Sequence, residues 1–82
     1  MTKDELYAKV ADILVNEFEI DAGKIAPQTL LVDELDLDSI DFVDMISKAR
    51  EFIPGKINPE SFKTVRTIQD IVDALYPYTQ AQ

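Results

Sequence analysis

Ser39 is the residue whose type and surroundings best suit chemistry in this chain of 82 residues. It lies in the sequence Asp38-Ser39-Ile40-Asp41, at the start of a stretch with helical periodicity. Taken alone, a serine at a helix start is most often an N-cap. A self-activated nucleophile would need a base such as histidine, and the chain contains none. Modification by another enzyme suits Ser39 better, because a phosphate ester there would meet the free N–H groups and positive dipole end of the helix.

Most other reactive groups are missing from the chain. It contains no cysteine, no histidine and no tryptophan, which excludes thiolate nucleophiles, Cys/His metal sites and disulfide scaffolds. Asp36 and Asp38 are spaced like the opening of a calcium loop, but Asp41 stands at the glycine position and Ser47 at the closing glutamate position. We therefore expect no metal site and no catalysis by the chain itself.

The net charge of −8 is concentrated near Ser39. Residues 33–44 contain six acids and no base, and an acidic chain is a poor candidate for binding nucleic acid. Helix-dipole stabilisation explains Asp38 and Asp41. Asp44 lies a turn further on and shares a face with the apolar Ile40, which indicates a docking surface for a basic partner. The acids of the segment are Asp33, Glu34, Asp36, Asp38, Asp41 and Asp44.

Helical periodicity places this segment in an all-helical domain spanning residues 1–82. Thr2 and Glu5 form a capping-box pattern for a first helix over residues 3–18, with Gly23 as its stop. A long loop then runs from Glu19 to Asp38 and includes a helical turn near residues 29–35. Its scattered apolar residues indicate that the loop lies on the core. The predicted core face of the first helix consists of Leu6, Val10, Ile13, Leu14 and Phe18.

Three further helices are predicted after the loop. The second begins at Ser39 and ends at Pro54-Gly55, with Phe42, Val43, Ile46, Ala49 and Ile53 on its apolar side. A short third helix follows the Asn58 cap and covers residues 59–64. Thr67 caps the last helix, which ends at Tyr76-Pro77, and residues 78–82 are expected to be frayed. No segment has the roughly 18 to 20 apolar residues of a membrane span, so we expect a soluble, cytoplasmic protein.

These landmarks resemble the acyl carrier protein family. Asp38-Ser39-Ile40-Asp41 is similar to the family's phosphopantetheine attachment motif, Asp-Ser-Leu-Asp. The resemblance extends over nearly the whole chain, from the long first helix and long loop to Thr67-Ile68-Gln69-Asp70 at the start of the last helix. The short motif alone is weak, but its expected structural context makes it strong. The implied fold is a small four-helix bundle with three longer helices, one short helix and a long first loop.

The resemblance also implies a function. A phosphopantetheinyl transferase using magnesium would move 4′-phosphopantetheine from coenzyme A to Ser39. The thiol of the arm would then carry acyl groups as thioesters between acyl-loading and ketosynthase-type enzymes, and the carrier itself would be a non-catalytic monomer. Asp38 would help the transferase dock, and Asp36, Ile40, Asp41 and Asp44 would face basic patches on partners. The apolar residues Phe42, Val43, Ile46, Phe62 and Val65 would shelter the acyl chain, although each of them singly also fits core packing.

Several positions depart from a housekeeping fatty-acid carrier. Asp36 replaces a usual glycine, which reduces local backbone freedom. Lys48 and Arg50 interrupt a usually acidic helix, and Phe42 and Phe62 replace smaller residues. These departures favour a carrier for a specialised lipid or polyketide pathway.

Two alternatives remain open at the level of sequence. A peptidyl or aminoacyl carrier has the same fold and modification, but it usually has Gly-Gly where Asp36-Leu37 stands here. An unmodified acidic helical interaction module would take no phosphopantetheine.

Overall fold

The computed structural model describes residues 1–53 and 56–80, except for the side chains of residues 59 and 61. Within these ranges the chain forms three α-helices: α1 (Lys3–Glu17), α2 (Ser39–Ala49) and α3 (Ile68–Thr79). Two 3-10 turns, Ala22–Lys24 and Pro59–Phe62, lie between them. The described ranges contain no strand, only an isolated antiparallel bridge between Leu30 and Thr67. The all-α prediction is confirmed, with the short third helix wound as a 3-10 turn that ends at Phe62 instead of residue 64.

Helix α1 begins as the capping pattern predicts and ends earlier than predicted. Thr2 Oγ1 accepts a hydrogen bond from the Glu5 N–H, and the Glu5 carboxylate accepts one from the Thr2 N–H. At the other end Glu19 adopts a left-handed conformation (φ 56°), and the Ile20 N–H donates to the Leu14 carbonyl at 3.1 Å. The prediction that Gly23 stops α1 is therefore wrong, because the chain already reverses at Glu19. The buried face of α1 consists of Leu6, Val10, Ile13 and Leu14.

The long loop after α1 is part of the core. Leu31, Leu35 and Leu37 are buried, as expected for a loop lying on the helices. Thr29 is the buried polar residue of this loop, and its Oγ1 donates to the Lys24 carbonyl at 2.7 Å. Since this hydrogen bond satisfies the hydroxyl, Thr29 can be buried without a large desolvation cost.

Backbone hydrogen bonds attach the loop to the start of α3. The Leu31 N–H donates to the Arg66 carbonyl at 2.9 Å. In return, the Ile68 N–H donates to Thr29 and the Gln69 N–H to Pro27, at 3.2 and 3.0 Å. The loop therefore has a fixed path across the bundle, and this path leads it to the start of α2.

Helix α2 is shorter than predicted and uses a different core face. It ends at Ala49, because the Phe52 and Ile53 N–H groups both fold back to the Ala49 carbonyl in a tight turn. Pro54-Gly55, the predicted stop, lies outside the described residues. Met45 is buried instead of Val43, which is 57% exposed. The prediction that Val43 belongs to the core face is wrong, and Val43 lies at the edge where α2 meets solvent.

Helix α3 begins at its predicted cap and runs past its predicted end. Thr67 Oγ1 accepts from the Asp70 N–H at 3.1 Å, and Asp70 accepts from the Arg66 and Thr67 N–H groups. These backbone hydrogen bonds lower the pKa of Asp70. Pro77 lies inside the helix, which continues to Thr79, so Tyr76-Pro77 does not end it. Tyr78 and Thr79, expected to be frayed, are helical here, while residues 81–82 lie outside the described ranges.

Across residues 1–53 and 56–80, every helix is too short or too polar to cross a membrane.

Candidate functional site

The candidate site begins at the N-terminus of α2, where two aspartates cap the helix. Asp38 Oδ1 accepts a hydrogen bond from the Asp41 N–H at 3.0 Å, and Asp41 Oδ2 accepts one from the Asp38 N–H at 3.1 Å. Asp38 is therefore the N-cap, and Ser39 is the first helical residue. The interpretation of Ser39 as a cap is wrong, because Asp38 already fills that role. The Ser39 hydroxyl is left available for other chemistry.

Ser39 is exposed and lies beside backbone N–H groups that have no acceptor within residues 1–53 and 56–80. The hydrogen bonds of the described residues include none to the Ser39 hydroxyl, and none from the Ser39 or Ile40 N–H groups. The capping aspartates satisfy the Asp38 and Asp41 N–H groups and leave these two open. Open N–H groups at a helix N-terminus form a ready site for a phosphate group.

Asp36 turns the chain into this site through a left-handed backbone. Its φ is 57°, a region that aspartate tolerates better than most residues with a side chain. The Leu37 N–H then donates back to the Leu31 carbonyl at 3.1 Å, and Leu37 is buried. The position thus uses the conformation that a glycine would adopt freely. Asp36 fills it while keeping an exposed carboxylate.

An exposed face combines apolar and acidic residues after Ser39. Ile40 is 76% exposed, the most exposed large apolar side chain among the described residues, and Val43 is also exposed. Asp44 is exposed on the same helix, whereas Asp41 is half-buried and occupied in the capping box. The predicted docking residues therefore differ in exposure: Ile40, Asp44 and Asp36 are exposed, whereas Asp41 is half-buried and takes part in the capping box.

Helix α2 loses this acidic character toward its C-terminus. Lys48 Nζ lies 3.3 Å from the Glu17 carboxylate of α1. The hydrogen bond and charge of Glu17, followed by the charge of Asp44, raise the pKa of Lys48. This ion pair joins α1 to α2 beyond the first two turns, so the acidic face is confined to the Ser39 end.

A groove of about 350 Å³ opens next to Ser39, between α2 and the segment that follows the second 3-10 turn. Ser39 itself forms part of its wall. The buried Phe62 and the half-buried Phe42 both line the groove. The lining also includes the five residues predicted to shelter an acyl chain: Phe42, Val43, Ile46, Phe62 and Val65.

Two further lining residues, Val32 and Lys63, were not predicted from the sequence. Val32 is 54% exposed and comes from the long loop, where an isolated apolar residue gives no sign of its neighbours. Lys63 directly follows Phe62, and its place in the sequence is typical of an ordinary surface lysine. Its position at the groove depends on how the second 3-10 turn packs against α2, which is a tertiary contact.

Comparison with known proteins identifies the family of this chain. A model of the phosphopantetheine attachment site family matches residues 8–75. A relative from Ralstonia nicotianae named acyl carrier protein 2 is 41% identical over 75 residues, covering 92% of this chain and 93% of that protein. The chain belongs to the acyl carrier protein family. An acyl carrier protein from Myxococcus xanthus is 33% identical over 72 residues, covering 88% and 91% of the two chains.

The fold agrees with this family. A solved structure of the acyl carrier protein from Enterococcus faecalis superposes with a TM-score of 0.74 at 28% identity, covering 95% of this chain and 99% of that one. Acyl carrier proteins are carriers and not catalysts, and their cofactor is 4′-phosphopantetheine. The start of α2 fits this cofactor, because it presents an unbonded hydroxyl beside two open N–H groups that can receive the phosphate.

Proposed function

We propose that Ser39 is the attachment residue for 4′-phosphopantetheine and that the protein presents acyl groups on this arm to biosynthetic enzymes. The observation that carries the proposal is the start of α2, where the exposed Ser39 lines an apolar groove. Its hydroxyl and the Ser39 and Ile40 N–H groups have no hydrogen-bond partner among the described residues. When attached, the cofactor supplies a terminal thiol that holds acyl groups as thioesters. The chain's own residues supply position, charge and shelter.

Attachment requires the Ser39 oxygen to attack a phosphorus atom of coenzyme A. A Ser39 O–P bond forms, the pyrophosphate P–O bond breaks, and adenosine 3′,5′-bisphosphate leaves. The serine proton must go to a base of the transferase, since this chain has no histidine and its two neighbouring carboxylates already bind backbone N–H groups. Asp38 therefore acts as a positioning residue, which caps the helix and fixes Ser39 at its first turn.

The groove is proposed as the shelter for the acyl chain. It begins at Ser39 and is lined mainly by aliphatic and aromatic side chains, so a short apolar chain gains by leaving water there. The rings of Phe42 and Phe62 restrict its volume. This restriction supports a specialised lipid or polyketide carrier over a housekeeping one. If purified fatty-acid ketosynthase elongates the acylated protein as fast as a housekeeping carrier, the specialised assignment is wrong.

The residues near Ser39 are proposed as the docking face, defined as the exposed Asp36, Ile40 and Asp44 together with the half-buried Asp41. Its partners would be the transferase and acyl-loading and ketosynthase-type enzymes that present basic patches. We expect Asp44→Asn to slow modification several-fold at low salt and much less at high salt, because surface charges are screened. Asp73→Asn, on α3, is the control of equal charge change. Equal slowing by both variants would contradict this docking face.

We also propose that the carrier is a monomer located in the cytoplasm with these enzymes. Size-exclusion chromatography measures the oligomeric state and should give the mass of a single chain.

Intact mass spectrometry tests the attachment directly. The protein is incubated with coenzyme A, magnesium and a competent phosphopantetheinyl transferase, and a single arm should be added. Ser39→Ala should abolish the adduct, whereas Ser47→Ala, which alters an exposed serine on the same helix, should retain it. Circular dichroism should show that both variants remain folded, because Asp38 still caps α2. An unmodified wild-type protein would favour an acidic interaction module instead. Loading by an adenylating enzyme would favour a peptidyl carrier.

A further inference from the structure

Lys63 is the one charged residue among the eight that line the groove beside Ser39. Its Nζ lies 3.8 Å from Glu60 Oε1, and both side chains are 73% exposed. An exposed ion pair at this distance contributes little to the free energy of folding, so Lys63 can leave Glu60 and pair with another carboxylate. The groove therefore has apolar walls and one cation that can exchange its partner.

The charges in a neighbouring cavity differ from those in the groove, and this distinguishes Lys63 from Arg66. This cavity, of about 250 Å³, shares Val32 and Val65 with the groove and is also lined by Asp33 and Arg66. A carboxylate there would meet Asp33 as well as Arg66, and their effects would oppose each other. Among the described residues that line the groove itself, the one charged side chain is Lys63, and its partner Glu60 is not among them. An anionic group is therefore favoured beside Lys63 and not in the adjoining space.

The surroundings of Ser39 strengthen this selectivity. Asp38 and Asp41, whose capping box brackets Ser39, place negative charge at the Ser39 end of the groove and disfavour an anionic group there. A chain with a carboxylate at its far end would thus gain from placing that end at Lys63. Apolar surface of the chain would still pack on Phe42, Val43 and Phe62.

We propose that the groove is adapted to an acyl group with a terminal carboxylate, which pairs with Lys63 while the chain lies against the apolar wall. This inference rests on the proposed function, because it assumes that Ser39 bears the arm. It names the class of cargo: a medium-length dicarboxylic acyl group attached through one of its two carboxyls. The groove has a volume of about 350 Å³, and Ser39, where the arm would be attached, forms part of its wall.

The test compares two acyl groups of equal length on the modified protein. Hexanoyl and adipoyl groups are each loaded on the wild type and on Lys63→Met, Lys63→Arg and Lys24→Met. Lys24 lines a different cavity with Phe18 and Asp21, so Lys24→Met removes a positive charge away from the groove. The measured quantity is the rate at which hydroxylamine cleaves the thioester, because a chain held in the groove shields its carbonyl.

We expect Lys63→Met to accelerate cleavage of the adipoyl form by about two- to five-fold, the range of an exposed ion pair. It should leave the hexanoyl form unchanged or better protected. Lys63→Arg should behave like the wild type, and Lys24→Met should change neither form. Equal sensitivity of both acyl forms to Lys63→Met would overturn the proposal, as would an adipoyl form unaffected by it. If Lys63 pairs only with the phosphate of the arm, Lys63→Met would affect both acyl forms equally, because both contain this phosphate. A protein that receives no arm would fail the proposed function itself, a distinct outcome.

Discussion

The starts of α2 and α3 have the same capping design but opposite surroundings. At α2 the box is Asp38 with Asp41, and at α3 it is Thr67 with Asp70. The first two N–H groups of α3 donate to the loop carbonyls of Thr29 and Pro27, whereas those of α2 have no partner among the described residues. We call the start of α3 the closed start, because loop carbonyls of the chain accept hydrogen bonds from its first two N–H groups. We call the start of α2 the open start, and it also displays the exposed Ser39.

The first helical residue shows the same contrast. Ile68 of α3 is fully buried, while Ser39 of α2 is exposed and forms the edge of the groove. A capping box therefore determines where a helix begins, but not whether its first turn is buried or exposed. The first turn of α3 is buried and belongs to the core. The first turn of α2 is exposed and can receive an incoming group.

The largest difference between the two starts should appear on truncating these first residues to alanine. Ile68→Ala removes a fully buried side chain and should lower the free energy of unfolding by about 2–5 kcal/mol. Ser39→Ala removes an unbonded exposed hydroxyl and should change it by no more than about 0.5 kcal/mol. Urea unfolding followed by circular dichroism measures both. A loss of more than about 1 kcal/mol for Ser39→Ala would show that the serine has a structural role.

The sequence predicts where both helices begin, because capping signals are local, although Ser39 was interpreted as the cap of α2 where the structure has Asp38. Thr2 with Glu5, Asn58 and Thr67 were predicted as caps, and the structure places each of them at a helix or 3-10 start. A capping residue and its partner lie within a few positions of each other, so their spacing alone is informative.

Features that depend on tertiary contacts were not readable in the same way. Glu19 and Asp36 adopt left-handed backbone conformations, although neither is a glycine, the residue that usually signals this conformation in a sequence. Gly23 was predicted to stop α1 because glycine commonly takes this conformation at the end of a helix. Met45 replaces Val43 in the core since the loop determines which side of α2 is covered. Lys63 reaches the groove only through the packing of the second 3-10 turn.

An effect of intermediate size is expected in the pH dependence of folding stability, through Asp70 at the start of α3. The Arg66 and Thr67 N–H groups hold the pKa of Asp70 below its ordinary value. A lowered folded-state pKa contributes stability above the unfolded-state pKa, and this contribution is lost as the pH falls through the folded-state value. Asp70→Asn should therefore be less stable than the wild type at pH 7, with the gap narrowing below about pH 4.

Thermal unfolding from pH 7 down to pH 3 measures this gap, with Asp33→Asn as the control. Asp33 is an exposed loop aspartate without a hydrogen-bond partner among the described residues. A gap for Asp70→Asn that stays constant across the range would contradict the assigned role of its charge.

The smallest effect should accompany attachment of the phosphate at the open start. If Ser39 bears the arm, its phosphate can accept hydrogen bonds from the Ser39 and Ile40 N–H groups, whose resonances should then move downfield. The Ile68 and Gln69 resonances should stay in place, because these N–H groups already donate to loop carbonyls. The associated stabilisation should be about 0.3–1 kcal/mol, the usual contribution of a negative charge at a helix N-terminus. Nitrogen-15 correlation spectra before and after modification measure all four resonances in one sample. If attachment moves the amides at both starts equally, it changes the whole bundle, and the open N–H groups of α2 are not the phosphate site.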